Sequence, residues 1–397
     1  KFITLRNGTE EYIDIVREGN EKVLRARLAD ARFFYDEDRK SSLDSKVERL
    51  KNVVYQEQFG TVFEKCARLQ NLVDFMAEKL NLETSVREAA HRAAYLSKAD
   101  LVTNMVIEFP ELQGIMGSYY SAYDGEGDAV SAALREQYLP RFSGDVLPET
   151  YQGCLLSIAD KVDNIVGSFA LGHQPTGSQD PYALRRQALG ICNIILKFKL
   201  NLTFSELFRE TYNQYAAKVT FSISYNEVES AVMEFFRQRV VNILEESGLR
   251  YDTVLAAMSA GWDNLPDVAA RAQALSEFRN DAGFEALLTG FTRAANLAKK
   301  AETENVDPTL FQDSAEGRLY TALTETSKQA EQVAAEGDYL LALRQIASLR
   351  EYIDEFFESV MVMVEDEKVR NNRLALLASV SRFMASVADL SLIVPAQ

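Results

Sequence analysis

Apolar residues recur at steps of three and four along most of the chain, the spacing that lines one face of an α-helix. After Asn20 the series Val23, Leu24, Leu28, Ala31 and Phe34 fits this pattern, and the charged run 36–40 breaks it. Val47, Leu50 and Val54 predict a second helix, and Val62, Phe63, Cys66, Leu69, Leu72 and Met76 a third over 61–80. Thr84 opens a helix expected to run through Asp100 and Met105 until Pro110 closes it. A more polar insertion spans 121–149, and 155–167 is helical again. Asp180-Pro181 reads as a helix start, an acceptor followed by proline at the first helical position. Residues 205–297 read as helix broken at Gly248 and between Gly261 and Pro266, and 305–313 as a polar joint. In the last part Tyr339, Leu343, Ile346, Ile353, Phe357 and Val360 form one stripe, and Leu374, Leu377, Met384 and Val387 another. Short breaks between such stripes are those of an antiparallel bundle. The expected fold class is all-α.

Composition agrees. Gly and Pro number 19 and 8 in 397 residues, about half the usual combined share of roughly 12%, so turns are few and helices long. Hydrophobic residues make up 47% and charged residues 26%, which excludes a disordered or fibrous chain. Apolar runs such as that around Ser359–Val364 are far shorter than the roughly 20 residues of a membrane helix, so no membrane association is expected. Cys66, Cys154 and Cys192 are an odd, scattered set without metal-ligand spacing, which reads as buried thiols in a reducing cytoplasm. The chain begins at Lys1 without methionine, and residues 1–5 read like the end of a strand, so a start inside a longer protein is expected.

The residues that are missing limit the chemistry. Two histidines, His91 and His173, stand in neither an HExxH nor a His-Asp pair, which argues against a metal hydrolase. No phosphate loop, GxGxxG turn or GxSxG elbow occurs. No catalytic residue, resident metal or cofactor is therefore expected in this chain.

Three collinear blocks carry a resemblance: GNEKVLRARLADARFFYDEDRK (19–40), SKADLVTNMVIEFPELQGIMG (97–117) continuing to ADKVDNIVGSFALGHQPTGSQDPYALRRQALG (159–190), and FFESVMVMVEDEKVRNNRLALLASV (356–380), with VADLSL (387–392) near the end. They resemble the beta subunit of bacterial-type glycyl-tRNA synthetase. That resemblance implies a degenerate HD-type helical domain followed by a helical-bundle anticodon-binding domain similar to that of arginyl-tRNA synthetase. Expected boundaries are 1–60 for the end of a preceding domain and linking helices, 61–290 for the HD-like domain, and 291–397 for the anticodon-binding domain. It also implies a non-catalytic, tRNA-binding subunit that positions tRNA(Gly) for ATP-dependent glycylation. The partner alpha subunit, in an alpha2beta2 heterotetramer, would hold glycine, ATP and Mg. The rivals are a scaffold that only holds the alpha subunit and an HD-type metal phosphohydrolase.

Three sets of residues are candidates for function. An active HD centre needs an adjacent His-Asp pair, and here that position reads Ala99-Asp100, with Asp160 at the later position. Without imidazoles, Asp100 and Asp160 either hold Mg²⁺ loosely or pair with Lys98, Lys161 or backbone groups. The segment PTGSQDPYALRR brings Arg185 and Arg186 to a helix start, which fits either an RNA phosphate or a capped loop packed on a neighbour. Near the end, Arg370, Asn372, Arg373 and Arg382 either reach RNA or balance Glu365, Asp366 and Glu367. The stretch from Phe291 carries 11 Lys+Arg against 17 Asp+Glu, a net of −6 within a chain of net charge −16, so any RNA contact must be local.

Overall fold

Capping chemistry sets where the predicted helices begin. The computed structural model describes residues 2–219, 221 and 223–394, and among them the periodic stretches become eighteen α-helices and one small hairpin. In the first half these are α1 (Ile13–Asp38), α2 (Leu43–Val47), β1 (Val54–Gln56), β2 (Gly60–Thr61), α3 (Val62–Lys79), α4 (Thr84–Leu96), α5 (Asn104–Glu108), α6 (Ile115–Tyr123), α7 (Asp128–Glu136) and α8 (Tyr151–Ala170). Then follow α9 (Leu184–Phe198), α10 (Phe204–Ala216), α11 (Tyr225–Glu246), α12 (Tyr251–Ser259), α13 (Leu265–Phe278), α14 (Phe284–Ala298), α15 (Ser314–Ala335), α16 (Tyr339–Ala347), α17 (Arg350–Ser359) and α18 (Glu367–Ala385). Reciprocal side-chain boxes start three of them: Thr61 with Glu64, Ser224 with Glu227, and Asp313 with Glu316. Each satisfies two N–H groups that a helix end leaves unpaired.

The helix expected to run from Thr84 past Asp100 breaks at Leu96. Ser97 donates back to the Ala94 carbonyl, residues 99–102 form a single 3₁₀ turn, and Thr103 caps α5. His91 and Asp100 thus lie on different elements. The helix expected through Val47, Leu50 and Val54 ends at Val47 and passes through a 3₁₀ turn into β1. Residues 2–10 contain no strand.

Two compact units form. The first comprises residues 1–168 and 210–222. Its core is the pairing of α3 with α4, in which Leu69, Leu72, Val73 and Met76 face Ala90, Ala93 and Ala94, all fully buried. Alanines on α4 bring the two helix axes close, where larger side chains would hold them apart. The stretch expected to end a preceding domain packs on this unit: Arg27 pairs with Glu108 at 2.7 Å and the Tyr35 ring stacks on Tyr120. The Asp38 carboxylate accepts from the backbone of Asn104 (2.8 Å) and Met105 (2.9 Å) and from the Tyr120 hydroxyl (3.0 Å), while Leu43, Val47 and Leu50 are fully buried.

The second unit comprises residues 169–209 and 223–397. Ala256, Leu275, Phe278, Leu287 and Leu288 share one apolar core with Leu319, Ile346, Phe356, Leu376 and Leu377. One apolar core continues across 290/291, because α12 to α14 turn their apolar faces onto the terminal bundle. The three cysteines are buried free thiols.

Candidate functional site: spent charges and one polar groove

The apolar face of α3 carries two intruders, Lys65 and Arg68, both buried. Their side chains reach carboxylates on α8. Lys65 Nζ lies 3.1 Å from Asp160 Oδ1 and 2.9 Å from Asp163 Oδ2, and Lys98 Nζ lies 3.2 Å from Asp160 Oδ2. Arg68 forks onto Asp163 at 2.7 and 3.2 Å. Burial alone pushes the Asp160 carboxyl up, but Lys65, Lys98 and Lys161 outweigh it and hold it below the usual carboxylate range. Burial pulls Lys98 below the usual lysine range and brings Lys161 down to about 8. Lys161 turns instead to the Leu139 carbonyl (2.9 Å) and Ser157 Oγ (2.7 Å).

Asp100 does different work. One of its oxygens accepts from the N–H groups of Gly114 (2.6 Å) and Gly117 (3.1 Å) at the start of α6, and the other has no partner. A Cβ at residue 117 would sit 3.1 Å from that carboxylate, so glycine is what lets the two approach. Burial pushes the Asp100 carboxyl up to about 6. Of the alternatives for these two residues, Asp160 pairs with Lys98 and Asp100 with backbone. Lys65, from a helix 95 residues earlier, is the partner that sequence reasoning missed. Its signal was a charge inside an apolar stripe. Among the described residues no group of three or more His, Cys, Asp or Glu converges to hold a metal. The ammonium groups at Asp160 would repel a divalent cation there. His91 binds Asp74 (2.9 Å) and Gln70 (2.8 Å) at the α3–α4 edge, away from this network.

At the PTGSQDPYALRR segment, α9 begins at Leu184, three residues later than the Asp-Pro signal suggests. Asp180 still caps it, its two oxygens accepting from Leu184 N (2.8 Å) and Arg185 N (2.9 Å). Those N–H groups are therefore spent on the chain's own carboxylate and are not open to an outside phosphate. Arg186 is exposed and Arg185 half-buried.

In the last helix the predicted residues separate. Arg373 and Asn372 are interior, at 6% and 5% exposure. Arg373 forks onto Glu316, at 2.9 Å from Nε and 3.3 Å from Nη2, and donates to the Met361 carbonyl at 2.9 Å. Its partner is thus Glu316, not Glu365 or Glu367. Asn372 clamps the backbone of Asp307, accepting from its N–H (2.7 Å) and donating to its carbonyl (3.0 Å). Arg370 folds back onto the Val364 carbonyl (3.1 Å). Arg382 alone is strongly exposed, its side chain 67% accessible and paired with Glu304. It lies on a groove of about 580 Å³ between α15, α18 and residues 304–306, with Asn305, Thr324, Ser327, Ser379 and Ser386 around it. Ser379 and Arg382 share one face of α18, with Ser386 just past its end, a polar stripe legible in the sequence but overshadowed by the arginine-rich helix start.

The buried charges of α3, α8 and α18 pair within the chain, and Arg382 faces a groove of hydroxyls flanked by Glu304 and Glu331: the chain is an all-α protein. The family described as glycyl-tRNA synthetase beta subunit matches residues 1–259, and a DALR anticodon binding domain matches 287–395. The chain belongs to the glycyl-tRNA synthetase beta subunit family. It is 51% identical to the glycine–tRNA ligase beta subunit of Desulforamulus reducens over 99% of its own length and 57% of that relative's. It is 47% identical to that of Moorella thermoacetica over its whole length and 57% of the relative. For Clostridioides difficile the identity is 46% over 99% of the chain and 56% of the relative. The chain thus spans a little over half the length of these relatives. No described helix is long and apolar enough to cross a membrane.

Proposed function

We propose that this chain supplies tRNA binding to glycine–tRNA ligation, holding tRNA(Gly) so that its 3′ end reaches a catalytic site on a partner alpha subunit. The observation that carries this is the Arg382 groove, which lies inside the stretch matching an anticodon-binding domain. RNA loops are recognised through unstacked bases whose polar edges meet side chains. The hydroxyl, amide and guanidinium groups of the groove, which also holds the Glu304 and Glu331 carboxylates, supply the donors and acceptors for that. Positioning alone is worth roughly 7–11 kcal/mol of barrier in the best cases, so a chain that makes and breaks no bond still serves the reaction. On this reading Arg382 is the primary anticodon-side contact, Arg185 and Arg186 contact the RNA elsewhere, and Arg370, Asn372 and Arg373 shape the domain that carries the groove. Glycine, ATP and Mg belong to the alpha subunit, in an alpha2beta2 assembly in the cytoplasm.

A titration of tRNA(Gly) into the chain, alone and with the alpha subunit, tests this. Binding by the chain alone, with no glycine-dependent ATP–pyrophosphate exchange, is the expected result. Exchange by the pure chain would place chemistry here. Failure to bind tRNA while still binding alpha would leave a scaffold.

A further inference from the structure

In the second half of α11, Arg239 carries a charge that has no ion-pair partner among the described residues. Arg239 is half-buried, with its guanidinium 4.0 Å over the Phe235 ring. Among the described residues it donates to its own helix, to the Phe235 carbonyl at 2.6 Å and to Gln238 Oε1 at 3.3 Å. Packing of α9 on α11 brings Arg185 into its field. Burial lowers the Arg239 pKa, Arg185 lowers it further, and Cys192 and Asp180 are the groups that oppose. Cys192 is a buried thiol held protonated by burial. Asp180, the carboxylate in reach, already accepts the two α9 N–H groups. Among the described residues no carboxylate lies within ion-pair distance of Arg185, Arg186 or Arg239. A half-buried cation without a counter-ion is unfavourable, and a second beside it more so. In a chain of net charge −16 such a cluster is out of keeping with its surroundings.

We propose that Arg185 and Arg239 form a binding site for the phosphodiester backbone of an RNA strand, with Tyr182 as its stacking edge. Guanidinium forks match phosphate oxygens in pairs, and the anion supplies the charge that the fold withholds. Tyr182 is 53% exposed, and its ring stacks on His173 with centroids 6.2 Å apart. Gln187 fixes the turn by donating to the Tyr182 carbonyl at 2.9 Å. An open aromatic face next to phosphate-binding arginines is how single-stranded nucleic acid is held, and it favours RNA over an acidic peptide. The site deepens the reading of the chain as a tRNA binder and rests on it, but uses side chains of α9 and α11, not the Arg382 groove.

The test uses the full chain with Arg185→Gln and Arg239→Gln, probed with tRNA(Gly), a short single-stranded RNA and inorganic phosphate. RNA affinity should fall, and the slope of log affinity against log salt should become shallower by about one for each guanidinium removed. Tyr182→Ala should weaken RNA binding without changing that slope. Without ligand, Arg239→Gln should melt no lower than the parent, since a like-charge contact is relieved; a structural arginine would show a loss. Phosphate should raise the melting temperature of the parent above that in chloride of equal ionic strength, and this rise should vanish in Arg239→Gln. Folded variants that bind both RNAs with parental affinity and slope overturn the proposal, as does a phosphate effect without any RNA effect. So does a loss confined to binding of the alpha subunit. If the parent binds the short RNA through these arginines but not tRNA(Gly), the proposed function fails and this site stands.

Discussion

Replacing Arg373 by alanine separates a structural arginine from an RNA contact. Arg373 and Glu316 are buried at 6% and 1% exposure and joined by two hydrogen bonds. Glu316 is also the reciprocal member of the α15 cap, accepting from Gln312 N and Asp313 N at 2.8 Å each. Removal of the guanidinium leaves a carboxylate in the interior with only those two donors, and frees the Met361 carbonyl. Breaking a buried pair from one side costs about 3–5 kcal/mol, which lowers the melting temperature of a unit this size by roughly 6–20 °C. The double variant Glu316→Gln, Arg373→Met should lose less than Arg373→Ala, because no charge is stranded. Burial pushes the Glu316 carboxyl up, but Arg373 and the cap N–H groups outweigh it and hold it below its ordinary value. The pair therefore contributes stability above the unfolded carboxyl pKa of about 4.3, and that contribution is lost as pH falls through the lower folded value. The parent and Arg373→Ala melting curves should converge in acid. Calorimetry across pH, with a tRNA titration of the folded variant, reads both arms. A melting temperature within 2 °C of the parent together with weakened tRNA binding would refute the structural assignment.

Asp100→Asn should be at least as stable as the parent at pH 7.5. The folded carboxyl at about 6 lies above its unfolded value, so the folded state holds the proton more tightly, and parental stability from this group falls by about 3 kcal/mol as pH rises from about 4 to about 6. The gap should close at pH 4, and severe destabilisation at pH 7.5 would show that the α6 cap needs the charge. Arg382→Ala should melt within about 2 °C of the parent, since exposed pairs contribute about 0–1 kcal/mol, yet should weaken tRNA(Gly) binding by about 1–3 kcal/mol if the guanidinium reads a base edge. Unchanged affinity would remove Arg382 from the interface.

The helical class, most helix positions and the family were legible in the sequence because periodicity, caps and collinear motifs are local properties of the chain. Even so, Thr84 to Met105 reads as one helix and folds as two, because Ser97 and Thr103 bind backbone that a continuous helix would have used. What the charged residues do was not legible. Arg370, Asn372, Arg373 and Arg382 lie within one turn or a few of each other, yet two are interior and one lines a groove. The difference arises from Glu316 and Asp307, which are more than 50 residues away in sequence. Asp160 likewise could not announce Lys65, since the pairing exists only once α3 lies against α8. Sequence fixes which side chains a helix presents together. Whether a charge is exposed to solvent or cancelled inside depends on which distant helix packs over it, and only the tertiary structure decides that.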